Sequence, residues 1–152
     1  MHSPQTSSKP PQVLLGFDFG MKKIGVAVGQ LVTMSATPLA LLKAKDGIPS
    51  WEQIKELIKT WGAEALVVGI PYNMDGSEQE VTFAAKKFAA RLKNHYHLPV
   101  FLVDERLTSV QARQDLNDNP NLQHTDANVD SVAAKLILES WLRDQKPQDK
   151  LL

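Results

Sequence analysis

The chain has 152 residues, an apolar fraction of 43%, no cysteine, and 17 basic against 17 acidic side chains. One domain with a genuine core fits that length, and the missing cysteines exclude disulfides, thiolate catalysis and Cys-ligated zinc. Zero net charge weighs against a nucleic-acid partner without excluding a local basic patch.

Residues 1–11 are rich in Ser, Pro and Gln and read as a disordered tail with no apolar core for a secretory signal. No apolar run reaches the roughly 20 residues of a membrane helix. The default is a soluble cytoplasmic protein, with one domain over 12–146 and a flexible tail over 147–152.

The first strand is predicted over Val13–Phe19, with "KIGVAVG" returning as its antiparallel hairpin partner. Period two puts Leu14, Gly16, Asp18 and Gly20 on one face, and Leu15, Phe17 and Phe19 on the other. In the second strand Gly25, Ala27 and Gly29 share a face. The small residues beside Asp18 leave room for a ligand and for close backbone approach. "MSATPLALLK" is a third strand that Pro38 confines to an edge or a bulge.

Ser50 caps a helix through "WEQIKELIKTW", with Trp51, Ile54, Leu57, Ile58 and Trp61 on one face and Gly62 at its end. "AEALVVGI" is a continuously apolar strand of the doubly buried kind, followed by the loop "PYNMDG". Ser77 and Glu80 form a capping box for a helix to about Asn94. "LPVFLVD" is another buried strand. Thr108 and Gln111 cap a helix to about Leu116, "NDNPNLQHTDAN" is polar loop, and a last helix runs from about Val129 to Arg143. The order β-β-β-α-β-α-β-α-α predicts an α/β sheet in which a hairpin is extended by parallel strands with helical crossovers.

Three acidic positions stand out. Asp18 interrupts an apolar strand, where a carboxylate is costly unless compensated. Asp104 and Glu105 end a parallel strand, where open α/β sheets place ligands; alternation points them to opposite faces, so one reaches a site. Asp130 shares a helical line with Ala134, Ile137 and Trp141 that faces the sheet, although the helix dipole alone favours an acid there. Carboxylates from separated segments suit Mg²⁺ or Mn²⁺, which take hard oxygen ligands. A pair of such ions about 4 Å apart supports phosphodiester hydrolysis. The four histidines show no ligand spacing; His95 and His97, near a helix end, read as solvent-exposed.

"FDFGMKKIGVAVG", "VVGIPYNMDGSE", "DERLTSVQA" and "VDSVAAKLILESWL" together resemble, in order and spacing, the signature blocks of the YqgF-type, RuvC-like pre-16S rRNA nucleases of the RNase H-like superfamily. The resemblance spans about Val13 to Arg143. It implies a five-stranded mixed sheet, first three strands antiparallel, flanked by helices. It also implies a catalytic metal site of Asp18, Glu105 and Asp130 holding Mg²⁺ or Mn²⁺, and endonucleolytic trimming at the 5′ end of the 16S rRNA precursor.

Related enzymes with this fold resolve Holliday junctions, so branched DNA is the rival substrate. Junction resolvases of the superfamily carry a fourth acid one turn before the last; Ala127 stands there in this chain, which favours RNA, and Asp126 is off that spacing. Beside such a site Lys22, Lys23 and Arg106 are candidate phosphate clamps and Asn73 a groove residue; a solvated turn explains them equally. The chain is expected to act as a monomer or homodimer on pre-16S rRNA or a ribosomal particle. A non-cleaving rRNA-binding assembly factor is a second reading. An ATP-binding domain of the sugar-kinase or actin-like type is a third, disfavoured because those proteins duplicate the domain.

Overall fold

The computed structural model describes residues 10–107 and 126–150, the side chains of Leu107, 126–130 and 146–150 excepted. Residues 1–9 of the tail predicted over 1–11, the helix opened by Thr108 and most of the following polar loop lie outside the described residues.

Strand β1 (Val13–Asp18) pairs antiparallel with β2 (Lys23–Gln30), and β2 with β3 (Ser35–Lys45). On the other side β1 pairs in parallel with β5 (Ala65–Ile70), and β5 with β6 (Val100–Asp104). These five strands reproduce the expected mixed sheet. A sixth, β4 (Ile48–Pro49), corrects the expectation of five and gives the order β4-β3-β2-β1-β5-β6. It arises because Asp46 and Gly47, at φ 53° and 80°, form a two-residue turn with both residues left-handed. Asp-Gly is a favoured pair for such a hairpin.

Pro38 sits at a register shift: Val26 faces Ala40 and Ala27 faces Pro38, leaving Leu39 as the extra residue of a bulge. A residue with no N–H is tolerated at such a break in the ladder.

Helix α1 (Trp51–Trp61) begins where the Ser50 hydroxyl accepts the Gln53 N–H at 3.3 Å, and ends at Gly62 with φ 65°. Ile54 is fully buried, whereas Trp61, expected on the same face, stands exposed at the last turn, where Gly62 reverses the chain. Helix α2 (Glu80–Tyr96) starts at Gln79 rather than Ser77. Ser77 is taken by the preceding loop, and the Gln79 N–H donates instead to the Thr82 hydroxyl at 3.0 Å. Both helices cover one sheet face, where Phe88 meets Phe17, Phe19 and Trp51 with ring centroids 5.3–6.1 Å apart. The Tyr96 hydroxyl donates to the Trp51 carbonyl at 2.6 Å, and burial pushes its pKa up to about 12.

Helix α3 (Asp126–Lys150) covers the opposite face and is longer than predicted at both ends. Ala134, Ile137, Leu138 and Leu142 are fully buried there against Leu14, Ala27 and Val67. A Cβ at Gly16 would lie 2.8 Å from the Leu138 Cβ, and one at Gly29 2.8 Å from its Cδ2. The small-residue face of the hairpin thus admits this helix; the room expected for a ligand narrows to the strand end. Among the described residues no helix is long and apolar enough to cross a membrane.

Candidate active site

Asp18 is the last residue of β1 and lies between two glycines, Gly25 on β2 and Gly69 on β5. With no side chain on either flank, its carboxylate occupies a trough on the α3 face, the side that alternation shares with Leu14 and Gly16. It is only 6% exposed.

Across Gly69 the next neighbour is Val103 on β6, and the chain then turns through a short 3₁₀ segment, Glu105–Leu107. This turn carries Glu105 back over the sheet. A Cβ at Gly69 would lie 2.9 Å from the Glu105 Cγ, 3.0 Å from its Oε2 and 2.4 Å from the Ile137 Cδ1. Gly69 is therefore the shared floor on which Glu105 rests beside Asp18, with Ile137 of α3 above. Glu105 is 5% exposed. The position matches the rule that open α/β sheets bind ligands at the carboxyl ends of their parallel strands.

Asp104 points elsewhere, as alternation predicted. Its carboxylate accepts the Arg106 guanidinium in a fork, at 3.0 Å from Nε and 2.6 Å from Nη2. Those hydrogen bonds hold the Asp104 carboxyl below the usual carboxylate range. Arg106 also donates to the Met74 carbonyl at 3.4 Å and lies over the Tyr72 ring at 5.5 Å, a ring that Lys86 approaches at the same distance. Arg106 thus braces the loop after β5, where the Asn73 amide donates to the Ser77 hydroxyl and Asp75 accepts from both Ser77 donors. The Ser77 bonds lower the Asp75 pKa.

Lys22 is exposed on the β1–β2 turn, and Lys23 is half-buried opposite Lys43. Asp130 falls in the opening turns of α3, its side chain outside the described residues. The structure therefore sets Asp18 and Glu105 on either side of Gly69, places Lys22 on the turn after Asp18 and Lys23 at the start of β2, and commits Arg106 and Asn73 to the loop. His95 and His97 are exposed, His95 stacked on Trp51 at 4.1 Å.

Two residues escaped the sequence reading. Gly69 is signalled by being a glycine inside an otherwise apolar strand, a mark of close approach. Tyr72 carries no signal of its own.

The Asp104–Arg106 pair gives a pH prediction. A carboxyl depressed in the folded state stabilises above its unfolded pKa, about 3.9, and the gain disappears as pH falls through the folded value. In urea unfolding, Arg106→Gln is expected to lower the midpoint slightly at neutral pH and to converge with the parent in strong acid. A gap that persists in acid would show that the guanidinium acts through packing.

A family model described as "RuvX: Holliday junction resolvase" matches residues 12–144. A protein of Coxiella burnetii with the name "Putative pre-16S rRNA nuclease" is 60% identical over 134 residues, covering 88% of this chain and 94% of its own. Among solved structures, Thermus thermophilus RuvC in complex with Holliday junction substrate aligns at TM-score 0.52 and 16% identity, covering 89% of this chain and 96% of that one. The yeast mitochondrial Holliday junction resolvase Ydc2 aligns at TM-score 0.55 and 13% identity, with 92% and 82% covered. Those two likenesses establish a RuvC-like fold, and the match over nearly the whole described sheet and both ends of the site places the chain in the RuvX family.

Proposed function

We propose that this chain is a nuclease that hydrolyses a phosphodiester bond of pre-16S rRNA at its 5′ end, using a divalent cation. The observation that carries the reading is that two buried carboxylates flank Gly69, Asp18 as its register partner on β1 and Glu105 lying over its bare Cα. The donor set fits Mg²⁺ or Mn²⁺: hard carboxylate oxygens at a strand end, with no histidine or cysteine among them. Asp18, Glu105 and Asp130 would hold it. When bound, such an ion activates water for in-line attack and stabilises the leaving oxygen.

The chain's own residues supply position and charge. Asp18 and Glu105 are set by the strand end and the 3₁₀ turn, and Ile137 keeps bulk water from the floor. Lys22 on the adjacent turn and Lys23 at the start of β2 neutralise backbone phosphates, while Arg106 and Asn73 keep the loop after β5 in shape beside the substrate path. Ribosomal RNA as substrate places the protein in the cytoplasm.

Branched DNA is the second reading, favoured by the family model's description. Ala127, where the resolvases carry a fourth acid, and the names of relatives near 60% identity favour RNA. Purified protein incubated with a pre-16S rRNA fragment and with a four-way DNA junction, in Mn²⁺, Mg²⁺ or EDTA, separates these. RNA cut in either metal and intact in EDTA is expected. Cutting in EDTA sinks the metal mechanism, junction cutting alone sinks the rRNA assignment, and no cutting of either substrate favours an rRNA-binding assembly factor.

A further inference from the structure

Phe19 follows Asp18 in the chain, and alternation sends it through the sheet to the opposite face. There it floors an open cleft of about 260 Å³ between the β1–β2 turn with the Asp46-Gly47 hairpin on one side and α2 from Glu80 to Arg91 on the other. Met21, Ile48 and Phe83 line the cleft and are 44%, 44% and 56% exposed. Grouped exposed apolar side chains of this size mark an interaction surface. Lys87 and Arg91 line the same cleft and follow Phe83 at successive four-residue steps, so the three form one line along the helix. Asp46 and Glu80 complete the lining.

We propose that this cleft binds an unpaired nucleobase of single-stranded RNA flanking the scissile bond. Phe83 stacks on the base, Lys87 and Arg91 hold the adjoining phosphates, and Asp46 and Glu80 accept from the base's N–H groups. The proposal rests on the reading of Asp18 and Glu105 as a phosphodiester site, because Asp18 and Phe19 are consecutive at the carboxyl end of β1, so the cleft and that site lie on opposite faces of the same strand end and a single strand can pass around it. The lining is balanced in charge, two acids against two bases, so it is the arrangement that points to RNA. An aromatic face followed by two cations in line is the pattern by which single strands are held, base on ring and backbone on cations. The volume lies just under that of drug-sized sites and suits one base.

The test uses the full chain carrying Asp18→Asn, so that the probe survives. Anisotropy of a fluorescein-labelled single-stranded RNA of about 12 nucleotides, within the usual span of single-strand sites, is compared with that of the matching duplex. Adding Phe83→Ala is expected to weaken single-strand binding about tenfold, the scale of one lost base stack, with duplex binding unchanged. Lys87→Glu with Arg91→Glu is expected to weaken it further and to flatten its salt dependence. Single-strand affinity unaltered by Phe83→Ala overturns the proposal. So does a dimer in sedimentation that Phe83→Ala dissociates while RNA affinity holds, since a second copy would then own the cleft. If the wild-type chain cuts no RNA yet Phe83→Ala still weakens binding, the cleavage reading fails and the cleft stands; cleavage that needs Asp18 while binding ignores Phe83 is the reverse.

Discussion

Asp18→Asn is expected to abolish cleavage and leave the fold intact. Asn keeps the shape of the side chain between Gly25 and Gly69 but removes the charge. If Asp18 is a direct ligand, the rate loss exceeds the roughly 10–100-fold that outer-shell partners of metals cost. Stability is read separately, and both proteins are first melted in EDTA as the baseline. Mn²⁺ should then raise the melting temperature of the parent, because an ion that binds the folded state alone stabilises it, and leave the variant unmoved. Equal Mn²⁺ responses would remove Asp18 from the metal site whatever the activities show.

The second large effect is expected at Gly69. A Cβ there would lie 2.4 Å from the Ile137 Cδ1 and 2.9 Å from the Glu105 Cγ, both closer than nonbonded carbons tolerate. Gly69→Ala therefore overpacks the floor, at a cost of about 1–3 kcal/mol. The isoleucine tip can rotate away, whereas Glu105 has to lift its carboxylate from the strand. A displacement of about 1 Å in a catalytic group costs on the order of 10²-fold in rate. Urea unfolding and initial cleavage rates of Gly69→Ala and of Gly69→Ala with Ile137→Val separate the two strains. The double variant should regain stability without regaining activity; recovery of both would mean that Ile137 rather than Glu105 absorbs the clash.

The sheet was legible because its strands alternate or run apolar without interruption, and because Gly and Ser punctuate them. The fourth strand was missed although Asp46-Gly47 announces it, since two residues are too few to show a period. The cap of α2 was misread because Ser77 had a competing use: its hydroxyl serves Asp75 and Asn73 in the loop, and Thr82 took the capping role. For the site, alternation foretold that Asp104 and Glu105 diverge. It could not foretell that Arg106 folds back on Asp104, because that choice depends on the Tyr72 ring and the Met74 carbonyl, which no local pattern brings near. Nor could it show that the glycines of the hairpin face admit the Leu138 side chain rather than a ligand.

The docking of α3 has a kinetic consequence. The contacts of this helix with the hairpin join residues far apart in the chain; the Ala36 N–H and the Glu139 carboxylate, 3.4 Å apart, are separated by 103 residues. Contacts of such high order form late, after the local hairpin and the crossovers have closed. Until α3 arrives, the floor at Gly69 lacks the Ile137 side chain that covers it and is open to water. The pocket around Asp18 and Glu105 is therefore expected to close only with the last long-range step of folding, and protection from hydrogen exchange at the end of β5 should lag behind that of the hairpin.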